Sequence, residues 1–262
     1  MNNFNKLVAK IKHHGLRDVV RNNIPKILYR YKKNSVDTLK LFTGDGLEIG
    51  GPSKFFSKYG IFPIYEYAKK IDNINFSAET IWEGSITEGK VFKYSNSKDA
   101  GFQYVDEGSN LSKINKKYDF ILSCHCLEHI ANPLKAIKGW INLLKPNGML
   151  CLVLPDKRFT FDRKRPYTTF IHLLEDERRE VGEEDTTHFE EILNLHDKAL
   201  DFDYNQSTFE AWIRDNSIYR GVHHHVFNEE LIMEILGYCN FRIVHLDCIR
   251  PNHILVVAIS KK

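Results

Sequence analysis

From Gly46 onward, short apolar runs alternate with stretches of helical periodicity, and this alternation narrows the possible folds more than any other feature of the chain. Runs too short to be helices, separated by amphipathic segments, are the pattern of βα units on a parallel sheet, because a parallel return needs a crossover. Leu47 to Ile49 reads as a first strand that stops at Gly50-Gly51-Pro52-Ser53, where Pro52 suits the first turn of a helix. Ala68 to Ile71 and Gln103 to Val105 are weaker strand candidates, and Tyr118 to Cys124 is a stronger one. Asn132 and Pro133 are expected as N-cap and first residue of a helix carrying Leu134, Ile137, Ile141 and Leu144 on one face. Lys145-Pro146-Asn147-Gly148 breaks that helix, and Met149 to Leu154 is a continuous apolar strand of the kind buried on both faces. Glu229 to Tyr238 restores helical spacing. The chain then ends in two apolar runs, Phe241 to Leu246 and Ile254 to Ile259, whose short connection at Arg250-Pro251-Asn252 predicts an antiparallel hairpin.

Composition adds exclusions. The 262 residues, 42% apolar, suffice for a full core, and no apolar run approaches the roughly 18 residues of a membrane span. The polar, basic start is unlike a signal sequence, so a soluble cytoplasmic protein without membrane insertion is the expectation. Five cysteines, an odd number mostly inside apolar segments, read as reduced thiols, and Cys124/Cys126 has no companion pair at zinc-finger spacing. The net charge of +3 hides an asymmetry: residues 1–40 carry +8, and residues 166–210 hold thirteen Asp/Glu against three Lys/Arg. A basic amphipathic arm (1–40) therefore precedes the main domain (41–262), in which 156–226 forms an insertion of different character.

The first chemical motif is Glu48-Ile49-Gly50-Gly51-Pro52. A glycine turn directly after a strand lets a ligand approach the backbone. The G-x-G-x-x-G spacing that seats a pyrophosphate is absent, which disfavours a nicotinamide dinucleotide. A carboxylate at Glu48, two residues before Gly50, suits a ligand bearing an ammonium group.

At these residues the sequence resembles the class I methyltransferases that use S-adenosylmethionine, whose first motif is E/D-x-G-x-G; Glu48 and Gly50 match, and Pro52 replaces the last glycine. The closest resemblance is Asp119-Phe120-Ile121-Leu122-Ser123-Cys124-His125-Cys126-Leu127-Glu128-His129-Ile130, similar to the strand-four motif of the type 11 group. The resemblance implies a Rossmann-like, seven-stranded, mostly parallel sheet with an antiparallel last strand and helices on both faces. It also implies cofactor contacts at Glu48, Gly50, Gly51, Pro52, Asp72, Asn110, Leu111, Cys124 and His125, with Asp72 on the ribose, Glu66 its competitor, and Asn110 and Leu111 around the adenine. Asn73 to Ser77, Trp82-Glu83-Gly84 and His223 to Phe227 resemble methyltransferases encoded beside bacterial capsule or lipopolysaccharide genes.

The insertion leaves the fifth strand at the ligand-binding edge and is expected to cover the acceptor. Its arginines and lysines suggest a small polar or anionic acceptor, such as a sugar, nucleotide-linked sugar or phosphate-bearing molecule. A hydroxyl nucleophile needs a base, and His125, His188 and His224 are the candidates. His188, Glu191, His196 and Asp197 with His223 to His225 match no defensible metal signature, so no metal is assigned. The expected activity is O-methylation in surface polysaccharide biosynthesis; the alternative is a nucleic-acid methyltransferase using the basic arm, disfavoured by the acidic middle of the chain. A homo-oligomer is compatible with the sequence.

Overall fold

The computed structural model describes residues 37–201 and 204–262. The amphipathic helices expected in the basic arm fall on residues 1–36, outside the described residues.

The sheet has eight strands: β1 (Asp45–Ile49), β2 (Lys70–Asn75), β5 (Gly89–Phe92), β6 (Gly101–Val105), β7 (Tyr118–Cys124), β8 (Leu144–Pro155), β9 (Phe241–Ile249) and β10 (His253–Ser260). A separate two-stranded hairpin, β3 (Glu79–Thr80) and β4 (Gly84–Ser85), lies between β2 and β5. The strand order is β5-β6-β2-β1-β7-β8-β10-β9, so the chain winds outward from β1 on both sides and the order reverses between β1 and β7. The pairs among β6, β2, β1, β7 and β8 are parallel, while β10 enters antiparallel between β8 and β9. The expected Rossmann-like sheet and terminal hairpin are thus observed, with eight strands rather than seven. The extra strand is β5, which pairs antiparallel on the outer edge of β6; a four-residue edge strand with two central residues exposed carries too little apolar patterning to be read from sequence.

Both faces of the sheet are dry. Period-two alternation sends Ile121, Leu150, Leu152 and Leu154 into one core and Phe120, Leu122, Cys151 and Val153 into the other. The first core is closed by α2 (Pro133–Leu143) and α7 (Glu229–Tyr238) through Leu134, Ile137, Trp140, Leu231 and Ile235. The second is closed by Phe55, Phe56, Phe62 and the short α1 (Ile64–Tyr67). Asn132 caps α2 as expected, its Oδ1 accepting from the Lys135 amide at 3.1 Å, and Asn228 caps α7 through the Leu231 amide at 2.9 Å. The predicted break at Lys145 to Gly148 is a register shift inside β8, with Asn147 at φ 58°, because the β7 neighbour can skip residues without leaving the ladder.

Among the described residues between β8 and α7 lie four α-helices, α3 (Phe170–Arg178), α4 (Phe189–Leu195), α5 (Phe209–Arg214) and α6 (Asn216–Tyr219). Phe189, Ile192, Ile213 and Val222 give this segment a small core of its own.

Candidate active site

A cavity of about 900 Å³ opens outside the carboxyl ends of the parallel strands, at the point where the strand order reverses. Ile49 and Gly50 line it from the exit of β1, Asn75 and Phe76 from β2, Cys124 and His125 from β7, and Pro155 from β8. Its outer wall comes from the segment after β8, with Thr160, Phe161, Arg220 and His223, and from Asn252 and His253 at the start of β10.

The loop after β1 is built around a buried carboxylate. Glu48 is fully enclosed, its Oε1 accepting from the Ser53 amide at 3.1 Å and its Oε2 from the Tyr65 hydroxyl at 2.6 Å. Burial raises the Glu48 carboxyl to about 7 despite these donors. Gly51 must be glycine, since a Cβ would stand 2.3 Å from Glu48 Cδ. Its amide and carbonyl are both engaged by the Asn73 carboxamide. Gly50 adopts φ 77° and faces the cavity. Pro52 also lines the cavity, but the helix after it is one 3₁₀ turn, Lys54–Phe56, with Ser53 as N-cap, so Pro52 precedes the helix instead of starting it.

Among the residues singled out from sequence, Gly50, Pro52, Cys124 and His125 line the cavity, whereas Glu48 and Gly51 lie beneath it and shape the loop. Asp72 is not brought there. Strand β2 runs to Asn75, so Asp72 sits three residues short of the edge, where it accepts from the Phe102 amide, Lys116 and the Tyr118 hydroxyl. Burial acts to raise its carboxyl, but these donors and Lys70 hold it below the usual range. Glu66 falls in α1, away from the cavity. The end of β2 carries instead Asn75, which accepts from Asn73 and Gln103 side chains at 2.6 and 2.9 Å. Asn110 is exposed and Leu111 packs on the core; Glu107 and Gly108, just before them, line the cavity.

His125 follows the last residue of β7 and lines the cleft. Its φ of 50° turns the chain sharply, its amide donates to the Val153 carbonyl at 2.8 Å, and its Nε2 shares a hydrogen bond with His253 Nδ1 at 2.7 Å. Its Nδ1 stands 3.5 Å from Glu128 Oε1. The neighbouring thiols of Cys124 and Cys126 are pushed upward by burial, which favours their neutral form over a thiolate.

His188 and His224 are not brought to the cleft. His224 is buried against Asn216, 3.2 Å from its carboxamide, and burial lowers it to about 3. His188 meets His172 at 3.1 Å and is lowered to about 4, burial again being the main cause. The histidine that the 223–225 run does supply is His223, and nothing local in the sequence distinguishes it from its two neighbours. In the structure its Nδ1 is 2.5 Å from Asp162 Oδ2. Burial opposes protonation of His223, but Asp162 outweighs it and raises the imidazole above its ordinary value.

The arginines expected to attract an anion are already neutralised. Arg158 is paired with Asp156, Arg163 with Asp197, and Arg165 with Asp162 and Glu191. Arg220, at the cavity wall, bridges Glu107 at 2.6 Å and Glu183 at 2.5 Å. No described helix is long and apolar enough to cross a membrane.

A Rossmann-like sheet with a glycine turn after its first strand and a cleft at the switch point is the framework of ligand- and cofactor-binding α/β domains. The family described as Methyltransferase domain matches residues 64–246, more than half of the chain, and the chain belongs to it. It is a methyltransferase-domain protein. No curated protein matches the chain. Similar solved structures include an S-adenosylmethionine-dependent methyltransferase from Clostridium acetobutylicum, at 13% identity and TM-score 0.49 over 100% of both chains. The N-methyltransferase NodS from Bradyrhizobium japonicum has 12% identity and TM-score 0.45, over 88% of this chain and 96% of that one. The plantazolicin methyltransferase BpumL has 12% identity and TM-score 0.46, over 97% of this chain and 96% of that one. The cavity fits the cofactor: its volume is that of a small-molecule site, and Gly50 leaves an open face where a Cβ would come within 3.1 Å of Cys126 Sγ.

Proposed function

We propose that the enzyme methylates a hydroxyl of a small polar acceptor, a sugar or nucleotide-linked sugar of surface polysaccharide synthesis, with His125 as general base. The observation that carries this reading is the His125–His253 pair at the carboxyl end of β7, inside the cleft and 2.7 Å apart. A hydroxyl must lose its proton as it attacks, and two imidazoles in series accept that proton at one ring and share it with the next. S-adenosylmethionine, when bound, supplies a methyl group on a positively charged sulfur, which departs as a neutral thioether.

Gly50, Pro52, Cys124 and Asn75 are the residues proposed to hold the cofactor, with Glu48 and Gly51 acting through the shape of the loop. Thr160, Phe161, Arg220 and His223, all from the segment after β8, are proposed to wall the acceptor side, which supports the reading of 156–226 as an acceptor-covering insertion. With Arg220 held between two carboxylates, a neutral hydroxyl-bearing part of the acceptor fits this wall better than a bare anion.

The test is a panel of sugars, nucleotide sugars and phosphorylated small molecules incubated with enzyme and S-adenosylmethionine, reading S-adenosylhomocysteine and product mass. A methyl ether on one class is expected, and His125→Ala should cut turnover by about 10²–10⁴ while cofactor affinity stays within threefold. Full turnover in that variant removes His125 as the base.

A further inference from the structure

Three side chains of the cleft take no part in the proton transfer proposed above. Glu128, His129 and His223 each offer a ligand atom, and these atoms lie within 4.8 Å of one another on the cavity wall. Glu128 and His129 follow β7 in one 3₁₀ turn, Leu127–His129, whereas His223 arrives from the segment after β8.

The hydrogen bonds around this trio are those of a prepared metal site. His129 Nδ1 faces the Val222 carbonyl at 3.1 Å and His223 Nδ1 faces Asp162 Oδ2 at 2.5 Å. Each acceptor fixes the proton on Nδ1 and leaves the Nε2 lone pair as the donor atom, the arrangement by which outer carbonyls and carboxylates orient metal-bound imidazoles. Asp162 is itself anchored by Arg165, 2.7 Å away and 1% exposed, which also donates to the His223 and His224 carbonyls. Glu128 is 0% exposed, and beyond the 3.5 Å contact of its Oε1 with His125 Nδ1 its carboxylate oxygens make no hydrogen bond. A buried carboxylate so sparsely partnered is costly unless a cation completes it.

We propose that Glu128, His129 and His223 bind one divalent transition cation, and that this ion holds and acidifies the acceptor hydroxyl. Two imidazoles and a carboxylate suit zinc, manganese, iron(II) or cobalt(II), and three protein ligands leave positions open toward the cavity for acceptor oxygens. The coordinated hydroxyl releases its proton to His125, whose Nδ1 already stands 3.5 Å from Glu128, and no electron changes hands. This role rests on the methyltransferase reading above, since it gives the metal the acceptor of that reaction; the binding site itself does not.

The test uses the full chain stripped with a chelator, then titrated with Co(II), followed by its visible spectrum and by calorimetry, with S-adenosylmethionine affinity measured on the same samples. One equivalent should bind, and Glu128→Gln, His223→Ala and the outer variant Asp162→Asn should each weaken Co(II) at least tenfold with cofactor affinity retained. His172→Ala provides the contrast, because His172, His188 and His225 form a second histidine trio. Loss of Co(II) binding in His172→Ala but not in His223→Ala overturns the proposal, as does cofactor-competent wild-type protein that takes up no Co(II). Tight Co(II) binding without any S-adenosylmethionine binding would instead uphold the metal site and sink the methyltransferase mechanism.

Discussion

Replacing Glu48 by Gln should make the protein more stable, and by an amount that depends on pH. The carboxyl titrates at an ordinary 4.5 in the unfolded chain and at about 7 when buried under the Gly50 loop. Between those values the folded protein keeps a proton that the unfolded chain has lost, so the wild type loses stability as pH rises through that window and no further above it. At about 1.4 kcal/mol per unit the full penalty is about 3 kcal/mol. Glutamine preserves the acceptor for the Ser53 amide and can donate to the Tyr65 oxygen, so the loop contacts survive while the charge does not. Urea unfolding of both proteins from pH 4.5 to 8, followed by tryptophan fluorescence, should show the variant's advantage growing from its low-pH baseline by about 3 kcal/mol. Glu183, also raised to about 7 by burial, titrates in both proteins and cancels in the difference. A difference that stays flat across this range would refute the buried-charge reasoning.

Gly50→Ala should lose about tenfold in S-adenosylmethionine affinity, since a non-glycine residue at φ 77° costs roughly 1–2 kcal/mol and its methyl meets Cys126 Sγ at 3.1 Å. Calorimetry reads this directly, and unchanged affinity would remove Gly50 from the cofactor site. Arg220→Met strands the half-buried Glu107 and Glu183 without their shared cation, and should cost about 1–2 kcal/mol in urea unfolding, less than breaking a fully buried pair. Adding Glu183→Gln should restore part of that loss; identical midpoints for the single and double variants would show that the ion pair is not the cause.

Tyr118 to Cys124 is legible as a strand because its centre, Phe120-Ile121-Leu122, is apolar and needs no partner to be recognised, and His125 follows it into the cleft. Strand β2 carries Asp72, Asn73 and Asn75, polar residues that pair with one another, with Gln103 and with Lys116, so its apolar signal stops at Ile71 while the strand continues. Asp72 was therefore placed at an edge that Asn75 occupies.

The βα alternation, the closing hairpin, the glycine turn and the β7 motif are legible in the linear chain, because each depends on residues near one another in it. Which histidines share a cavity is set by long-range folding. His125 meets His253 across 128 positions, and His223 joins Glu128 and His129 across more than 90, while His188 and His224 pack elsewhere. The reason is physical: a histidine carries no periodic signal, and its role is set by the carboxylate, carbonyl or imidazole that folding brings within about 3 Å of its nitrogens.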